Sequence, residues 1–281
     1  MKVKIILFII FLALIFLAGF FVFQLIFYSD QKLHVVFCDV GQGDAIFIRT
    51  PKGSDILIDA GPGNKVLGCL ERHMPLWDRD IELAFATHPD ADHITGFQYV
   101  LKSYTVKSFN TSQKSHDTKV FTEINRLISQ KHVPFKFLFD GDIYKTADGV
   151  MLKTFWPTQE YVKANSISDD TNSFSLVQVL SYGDFRGLFT GDIEKEILNS
   201  IFQNGLSVDV FKLPHHGSKT GVDEKTFQLI HAKLGILSVG LHNRYGHPSP
   251  VVLNLLRQFN LPYKSTSKVG DIEIVSDGKN L

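Results

Sequence analysis

His88, Asp90, Asp92 and His93 set four metal-capable side chains within six residues, directly behind the largely apolar run 81–86. Imidazole nitrogens and carboxylate oxygens are the donors that borderline and hard divalent cations accept, and donors on one turn behind a strand can close around one or two ions. Pro89 drives His88 out of the helical region, so the segment is expected to run as a loop before any helix starts. A merely solvated loop has no reason to alternate His and Asp with small residues immediately after a buried strand.

A second feature is the stretch from Ile5 to Tyr28, which carries no charge and is dominated by Ile, Leu and Phe. At about 1.5 Å per residue a helix of this length exceeds the roughly 30 Å hydrocarbon thickness, whereas the apolar region of a cleaved signal runs about 7 to 15 residues. A membrane anchor over residues 1–29 is therefore expected, followed by one domain over 30–281. The stretch has no polar face, which argues against a buried core helix. Lys2 and Lys4 precede it, and the positive-inside tendency holds them in the cytoplasm and sends the chain after Asp30 to the far side.

Composition sets limits on the rest. Lys plus Arg equals Asp plus Glu at 29 each, so no strong positive field surrounds the molecule and any affinity for phosphate must be local. A chain of 281 residues that is 44% hydrophobic can build a sizeable packed core. Cys38 and Cys69 are too few for a disulfide framework or a four-cysteine zinc site, and both are expected to be buried structural thiols.

The patterning is mixed α/β. Strands are expected at 33–37, 45–49, 55–59, 81–87, 133–139, 151–156, 174–180, 185–190, 208–213 and 233–239, with 174–190 forming a hairpin through Ser181, Tyr182, Gly183 and Asp184. Helices are expected at 96–101, 120–130, 193–204, 223–231 and 251–259, the last opened by Ser249 as N-cap and Pro250 at the first position. A final strand lies just before Gly278, and no repeat or second domain boundary is evident.

Further donors fall at strand ends, where loops carry function. Asp192 closes Leu-Phe-Thr-Gly-Asp, His215 and His216 close Phe-Lys-Leu-Pro-His-His-Gly-Ser, and His247 sits in Arg-Tyr-Gly-His-Pro-Ser. An aspartate behind a glycine at the end of an apolar strand can bring two oxygens to two cations. His34, His73, His116, His132, His231 and His242 lie outside these motifs and are expected to be surface or packed residues.

Six motifs in order, Asp-Val-Gly-Gln-Gly-Asp-Ala at 39–45, Leu-Ile-Asp-Ala-Gly at 57–61, Thr-His-Pro-Asp-Ala-Asp-His at 87–93, Phe-Thr-Gly-Asp at 189–192, His-His-Gly-Ser at 215–218 and Tyr-Gly-His-Pro-Ser at 245–249, carry a resemblance. Over about residues 33 to 278 the chain resembles the metallo-β-lactamase superfamily, and within it the hydrolase module of the ComEC/Rec2 competence proteins, which take up DNA. The resemblance implies a four-layer αββα sandwich, one or two divalent metal ions, and a metal-bound hydroxide that attacks an ester, thioester, amide or phosphodiester. Carried across, His88 and Asp90 would belong to one metal, Asp92 and His93 to the other, and Asp192 would bridge. His215 is the choice for the remaining ligand, while His216 and His247 are open to ligation or substrate contact. Asp92, His216 and His247 are the candidate catalytic groups, and Asp59 would orient the ligand loop from behind.

Two departures from the general pattern matter. Asp90 stands where the commonest form has a second histidine, which hardens the site and tilts it from zinc toward manganese or magnesium without excluding zinc. Asn172 stands nearest to a further family histidine, so one ion would be loosely held. The leading expectation is a membrane-anchored phosphodiesterase or nuclease using Mn or Zn, with His247, Lys212 or Lys219 beside the developing phosphate charge. Those lysines are otherwise expected to be solvated. One span forms no channel, so a part in DNA uptake would need a separate pore. A second reading keeps the fold but replaces DNA with a non-nucleic ester or a cell-wall phosphodiester. A third is a non-catalytic metal-binding module, against which Asp92, His93 and Asp192 speak.

Overall fold

Alternation along the strands divides the interior into three apolar layers. Leu33, Val35 and Phe37 face one way into a core shared with Phe185, Phe189 and Val210, while Val36 faces the other way toward Val66 and Leu70. The same split recurs at Ile46, Phe47 and Ile48 and again at Ile56, Leu57 and Ile58. Strands buried on both faces read as continuous apolar runs, which is why Val35 to Phe37, Ile46 to Ile48 and Ile56 to Ile58 are apolar at consecutive positions.

The computed structural model describes residues 2–28, 30–112, 118–165 and 170–279. Met1 and Ser29 of the expected anchor, and His116, lie outside the described residues. Two seven-stranded sheets face each other. The first runs Ile272–Ser276, Leu33–Phe37, Ile46–Arg49, Asp55–Ile58, Leu83–Ala86, Phe109–Thr111, Phe135–Phe137. The second runs Tyr263–Ser265, Ile230–Leu237, Leu206–Lys212, Phe185–Phe189, Val177–Tyr182, Met151–Trp156, Ile143–Lys145. Each sheet is half antiparallel and half parallel, and the parallel halves bring the carboxyl ends of several strands to one edge.

Helices cover the outer faces. Lys65–His73, Phe97–Ser103 and Lys119–Gln130 pack Leu70, Phe97, Ile124 and Leu127 on the first sheet. Lys195–Ile201, Glu224–Leu229 and Pro250–Gln258 pack Leu198, Phe227, Val252 and Leu256 on the second. The result is the αββα layering expected from the motifs. Ser249 caps the last of these helices, accepting from the Val252 N–H at 3.3 Å with Pro250 at the first turn.

Three expectations need correction. The single strand expected over 81–87 is divided. Asp80–Ile81 pairs with Thr105–Val106, and Leu83–Ala86 joins the main sheet, because Glu82 turns to accept from the Asp55 N–H at 2.7 Å. The helix Lys65–His73 was not anticipated, since Gly68 sits inside it and weakens the local signal. That helix decides the cysteines: it lays Cys69 over the end of Leu33–Phe37, and Cys38 and Cys69 form a disulfide with Cα atoms 5.8 Å apart. A bridge closing 31 residues restricts the unfolded chain. Cys38→Ala/Cys69→Ala is expected to cost about 2–4 kcal/mol and lower the melting temperature by roughly 5–15 °C. Differential scanning calorimetry of the full chain in detergent checks this, and an unchanged melting temperature would remove the bridge from the stability account.

The apolar helix Lys2–Phe27 has 26 residues, about 39 Å at the usual rise. Its described side chains up to Phe23 are exposed. Below it, Tyr28 donates its hydroxyl to the Arg72 carbonyl at 3.1 Å, and His34 bonds Glu273 at 2.8 Å and Asp30 at 3.0 Å. Burial alone would lower the His34 pKa, but the hydrogen bonds to Glu273 and Asp30 outweigh it and raise the value. A raised folded-state pKa stabilises fully below the unfolded value of about 6.5 and loses that contribution as pH climbs through the folded value. His34→Gln is therefore expected to lower the melting temperature most below pH 6.5 and progressively less above it, as a melting series across pH would read.

Candidate metal centre

Five strand ends build the site. Asp59 follows Asp55–Ile58, Thr87 to His93 follow Leu83–Ala86, Asp192 follows Phe185–Phe189, His215 and His216 follow Leu206–Lys212, and Ser238 follows Ile230–Leu237. Carboxyl ends of parallel strands open onto loops, so residues far apart in sequence meet at one edge. Asp59, His215 and His216 adopt φ of 57°, 50° and 54°, a left-handed backbone that non-glycine residues hold only when surroundings compel it.

Asp92, His93, Asp192 and His216 bring donor atoms within 4.8 Å of one another. His93 Nε2 lies 3.2 Å from Asp192 Oδ1, and His216 Nε2 lies 3.4 Å from Asp192 Oδ2 and 3.3 Å from Asp92 Oδ2. His88 stands beside them, its ring 4.2 Å from that of His93 and its Nε2 3.7 Å from Asp90 Oδ2. Asp90 accepts from Thr171 Oγ1 at 2.6 Å. His215 Nε2 is 3.7 Å from Asp192 Oδ2, and its side chain is more open than that of His216.

The hydrogen bonds behind the histidines assign their protons. His93 Nδ1 donates to Asp59 Oδ2 at 2.8 Å, and His216 Nδ1 donates to the Ser238 carbonyl at 2.9 Å. Thr87 gives its hydroxyl hydrogen to Asp59 Oδ2, so at 3.0 Å it accepts from His88 Nδ1. All three rings thus anchor Nδ1 behind the site and turn Nε2 into it, and each of these Nε2 atoms is buried without a hydrogen-bond partner among the described residues, as is Asp192 Oδ1. Buried polar atoms are rarely left so, and outward-anchored imidazoles are the usual arrangement of metal ligands.

Charge points the same way. Asp44, Asp59, Asp92 and Asp192 converge here, with the Lys212 ammonium as the fixed countercharge, paired to Asp44 and 3.9 Å from Asp192. Burial alone would raise the Asp192 carboxyl, but the His216 and His93 imidazoles hold it well below the usual range. Against the same burial, Asp192 holds His93 and His216 well above theirs. The carboxylates thus draw positive charge to the cluster, and a divalent cation supplies that charge while leaving each Nε2 free to bind it. The donor set fits a metal ion.

Two glycines permit the approach. A Cβ on Gly43, at φ 138°, would lie 2.1 Å from the Asp92 carbonyl oxygen, and Gly191, at φ 51°, leaves no room beside Ser175 and Thr87. Each precedes an aspartate of the cluster. Asp44 was missed by the sequence reading although Gly43-Asp44 repeats the Gly191-Asp192 pattern that found its neighbour. Lys212, expected to be solvated, is fully buried. It ends its strand on the same side as Val210 and so points between the sheets.

A cleft of 120 Å³ opens over the cluster, lined by Gln42, Asp90, His215, Tyr245 and His247 among others. His247 stacks on Tyr245 with ring centroids 5.8 Å apart and meets the His215 ring at 5.7 Å. Burial, then the neighbouring His215 and His216 rings, lowers the His247 pKa. Asn172 lies in a 3-10 turn whose neighbours reach the site, Thr171 to Asp90 and Ser175 to His88 at 3.2 Å. Its own Oδ1 is buried with no hydrogen-bond partner among the described residues.

Comparison with known proteins sets this geometry in a family. The sequence profile of the metallo-beta-lactamase superfamily matches residues 38–240, which include every donor in the cluster. The chain belongs to the metallo-beta-lactamase superfamily. Within that superfamily it is 28% identical over 260 residues to ComE operon protein 3 of Bacillus subtilis, covering 84% of this chain and 32% of that protein. It is 26% identical over 244 residues to Recombination protein 2 of Haemophilus influenzae, covering 84% of this chain and 28% of that one. The chain therefore spans about a third of the length of the curated relatives it matches. A metallo hydrolase from the archaeon Ignicoccus hospitalis has the same fold, with a TM-score of 0.55 at 13% identity, covering 86% of this chain and 98% of the other. This metallo-beta-lactamase superfamily chain is a metal-dependent hydrolase, and it is also similar to Competence protein ComA of Neisseria gonorrhoeae, 24% identical over 265 residues and covering 93% of this chain and 35% of that one.

Proposed function

We propose that this metallo-beta-lactamase superfamily chain is a membrane-anchored phosphodiesterase whose substrate is DNA or a related polymer, working outside the cytoplasm. The observation that carries the reading is the convergence of three outward-anchored imidazole Nε2 atoms and the Asp92 and Asp192 carboxylates under an open cleft. Asp92, His93, Asp192 and His216 would hold one divalent ion, manganese or zinc, and His88 with Asp90 would hold a second next to Asp192. Asp59 orients His93, and Thr87 with Ser175 orient His88. When bound, the cation lowers the pKa of water toward about 7 and so makes a nucleophile available at neutral pH. Asp92, within the donor cluster, would align that nucleophile. His215 and His247 line the mouth and offer hydrogen bonds to phosphate oxygens as charge develops there.

Several features favour a polymer over a small ester. Pockets that enclose small ligands run to about 300–1,000 Å³. This cleft holds 120 Å³, enough for a scissile phosphate with the chain lying across it. Tyr245 is 68% exposed at the rim and stacked on His247, a platform on which a base could lie. The name of one relative, a recombination protein, accords with DNA. Placement outside the cytoplasm is supported by Lys2 and Lys4 before the apolar helix and by the Cys38–Cys69 disulfide, since disulfides persist in oxidising compartments.

The test is hydrolysis by the full chain in nanodiscs with added manganese or zinc, offered bis-p-nitrophenyl phosphate and single- and double-stranded oligonucleotides. Turnover that chelation stops is expected, with Tyr245→Ala weakening oligonucleotide cleavage severalfold and leaving the small diester unaffected. Clean turnover of a lactam or thioester with no diester cleaved under either metal would overturn the reading.

A further inference from the structure

The turn Pro75–Asp78 breaks the rule that corners are polar. The Asp78 N–H bonds the Pro75 carbonyl at 3.0 Å, which puts Leu76 and Trp77 at the two central positions. Leu76 is 55% and Trp77 46% exposed, so two large apolar side chains stand at the tip of the turn. The turn is also held from both sides. The Met74 N–H closes the preceding helix on Leu70 at 2.8 Å, Asp78 pairs with Arg49 at 3.3 Å, and Arg79 donates to the Tyr104 hydroxyl at 3.1 Å.

What touches this tip is the apolar helix. The Trp77 ring packs on Phe21 with centroids 4.9 Å apart, and Tyr28 at the helix end bonds Arg72 in the helix that precedes the turn. Twenty helical residues are needed to cross about 30 Å of hydrocarbon, so the length from Ile5 to Gln24 fills the core and Phe21 lies about 5 Å inside its outer edge. A ring in contact with Phe21 is therefore at the level where acyl chains meet headgroups, the depth that tryptophan prefers.

We infer that Leu76 and Trp77 form a second point of membrane contact, inserted in the outer interface of the bilayer beside the span, so that the catalytic domain rests on the lipid surface in one fixed orientation. This rests on the reading of Lys2–Phe27 as a membrane anchor. The partner is the lipid bilayer itself, because the same contact that exposes the turn ties it to the helix whose surroundings are lipid. A rigid turn loses little conformational freedom on insertion, and burying these two side chains adds apolar stabilisation to that of the span.

The chain has two tryptophans, Trp77 and Trp156, and Trp156 is tied to the Ser173 carbonyl at 2.7 Å in the globule. Full-chain Trp156→Phe is reconstituted in phosphatidylcholine vesicles with bromines placed either near the headgroup end or near the centre of the acyl chains. Trp77 emission is expected to be blue-shifted, quenched several-fold more by the shallow bromines than by the deep ones, and insensitive to aqueous iodide. Trp77→Phe, which keeps Trp156 alone, is expected to show no bromine quenching, and its difference from the parent chain gives the Trp77 signal should Trp156→Phe fail to fold. Unquenched Trp77 in a chain that floats with the vesicles after alkaline washing overturns the contact and leaves the anchor standing. A chain that does not float overturns both.

Discussion

Replacing Asp192 with alanine is expected to abolish hydrolysis, lowering kcat/KM on a generic diester by at least about a thousandfold, since bound cations supply several kcal/mol of transition-state stabilisation. The reason is geometric: one oxygen of Asp192 faces His93 and the other faces His216, so this carboxylate is the group shared by donors from two other strand ends. Metal content measured by mass spectrometry is expected to fall in parallel, and circular dichroism to stay near that of the parent. Asp192→Asn keeps the shape, removes the charge and is expected to fall between the two. Full activity with full metal content in Asp192→Ala would remove this residue from the centre.

The largest effect on stability is expected at Lys212. Lys212→Met leaves Asp44 buried without its ammonium and takes the donor from the Gly191 carbonyl, 3.2 Å away. Breaking one side of a buried pair costs about 3–5 kcal/mol, because the remaining charge has no solvent. Combining Lys212→Met with Asp44→Leu removes both charges and is expected to recover a good part of that loss, giving a coupling that chemical denaturation can read. A solvated lysine, as the sequence alone suggested, would cost close to nothing on substitution. Metal saturation is expected to mask part of the loss, since a cation beside Asp44 replaces some of the missing positive charge.

These two residues mark how far the sequence was legible. Asp192 announced itself through Gly191-Asp192 behind an apolar strand, and the 88–93 cluster through the density of its donors. Lys212 carries no such mark, since a lysine at the end of a strand is ordinary, and Asp44 repeats the Gly-Asp pair but stands in a glycine-rich turn ahead of its strand, not behind one. Only the meeting of their two loops gives either a reason. The histidine pair shows the same limit. His215 and His216 are indistinguishable in sequence, but their left-handed backbone turns His216 onto the Ser238 carbonyl and into the cluster, and His215 toward the cleft beside His247. The helix Lys65–His73 was hidden by Gly68, and with it the partner of Cys38.

What the sequence determined by itself was local and periodic. Alternation produced the strands, an uncharged run produced the long apolar helix, Ser249-Pro250 opened the last surface helix, and clustered imidazoles and carboxylates announced metal chemistry. Tertiary structure alone decided which of two adjacent histidines joins the cluster, which lysine is buried, that the cysteines are joined, and that Trp77 lies against Phe21. Periodicity and capping act between residues a few positions apart and leave their trace in the chain. Burial, charge pairing and register across two sheets act between residues 30 to 200 positions apart, as Asp44 and Lys212 are, and exist only once the fold has closed.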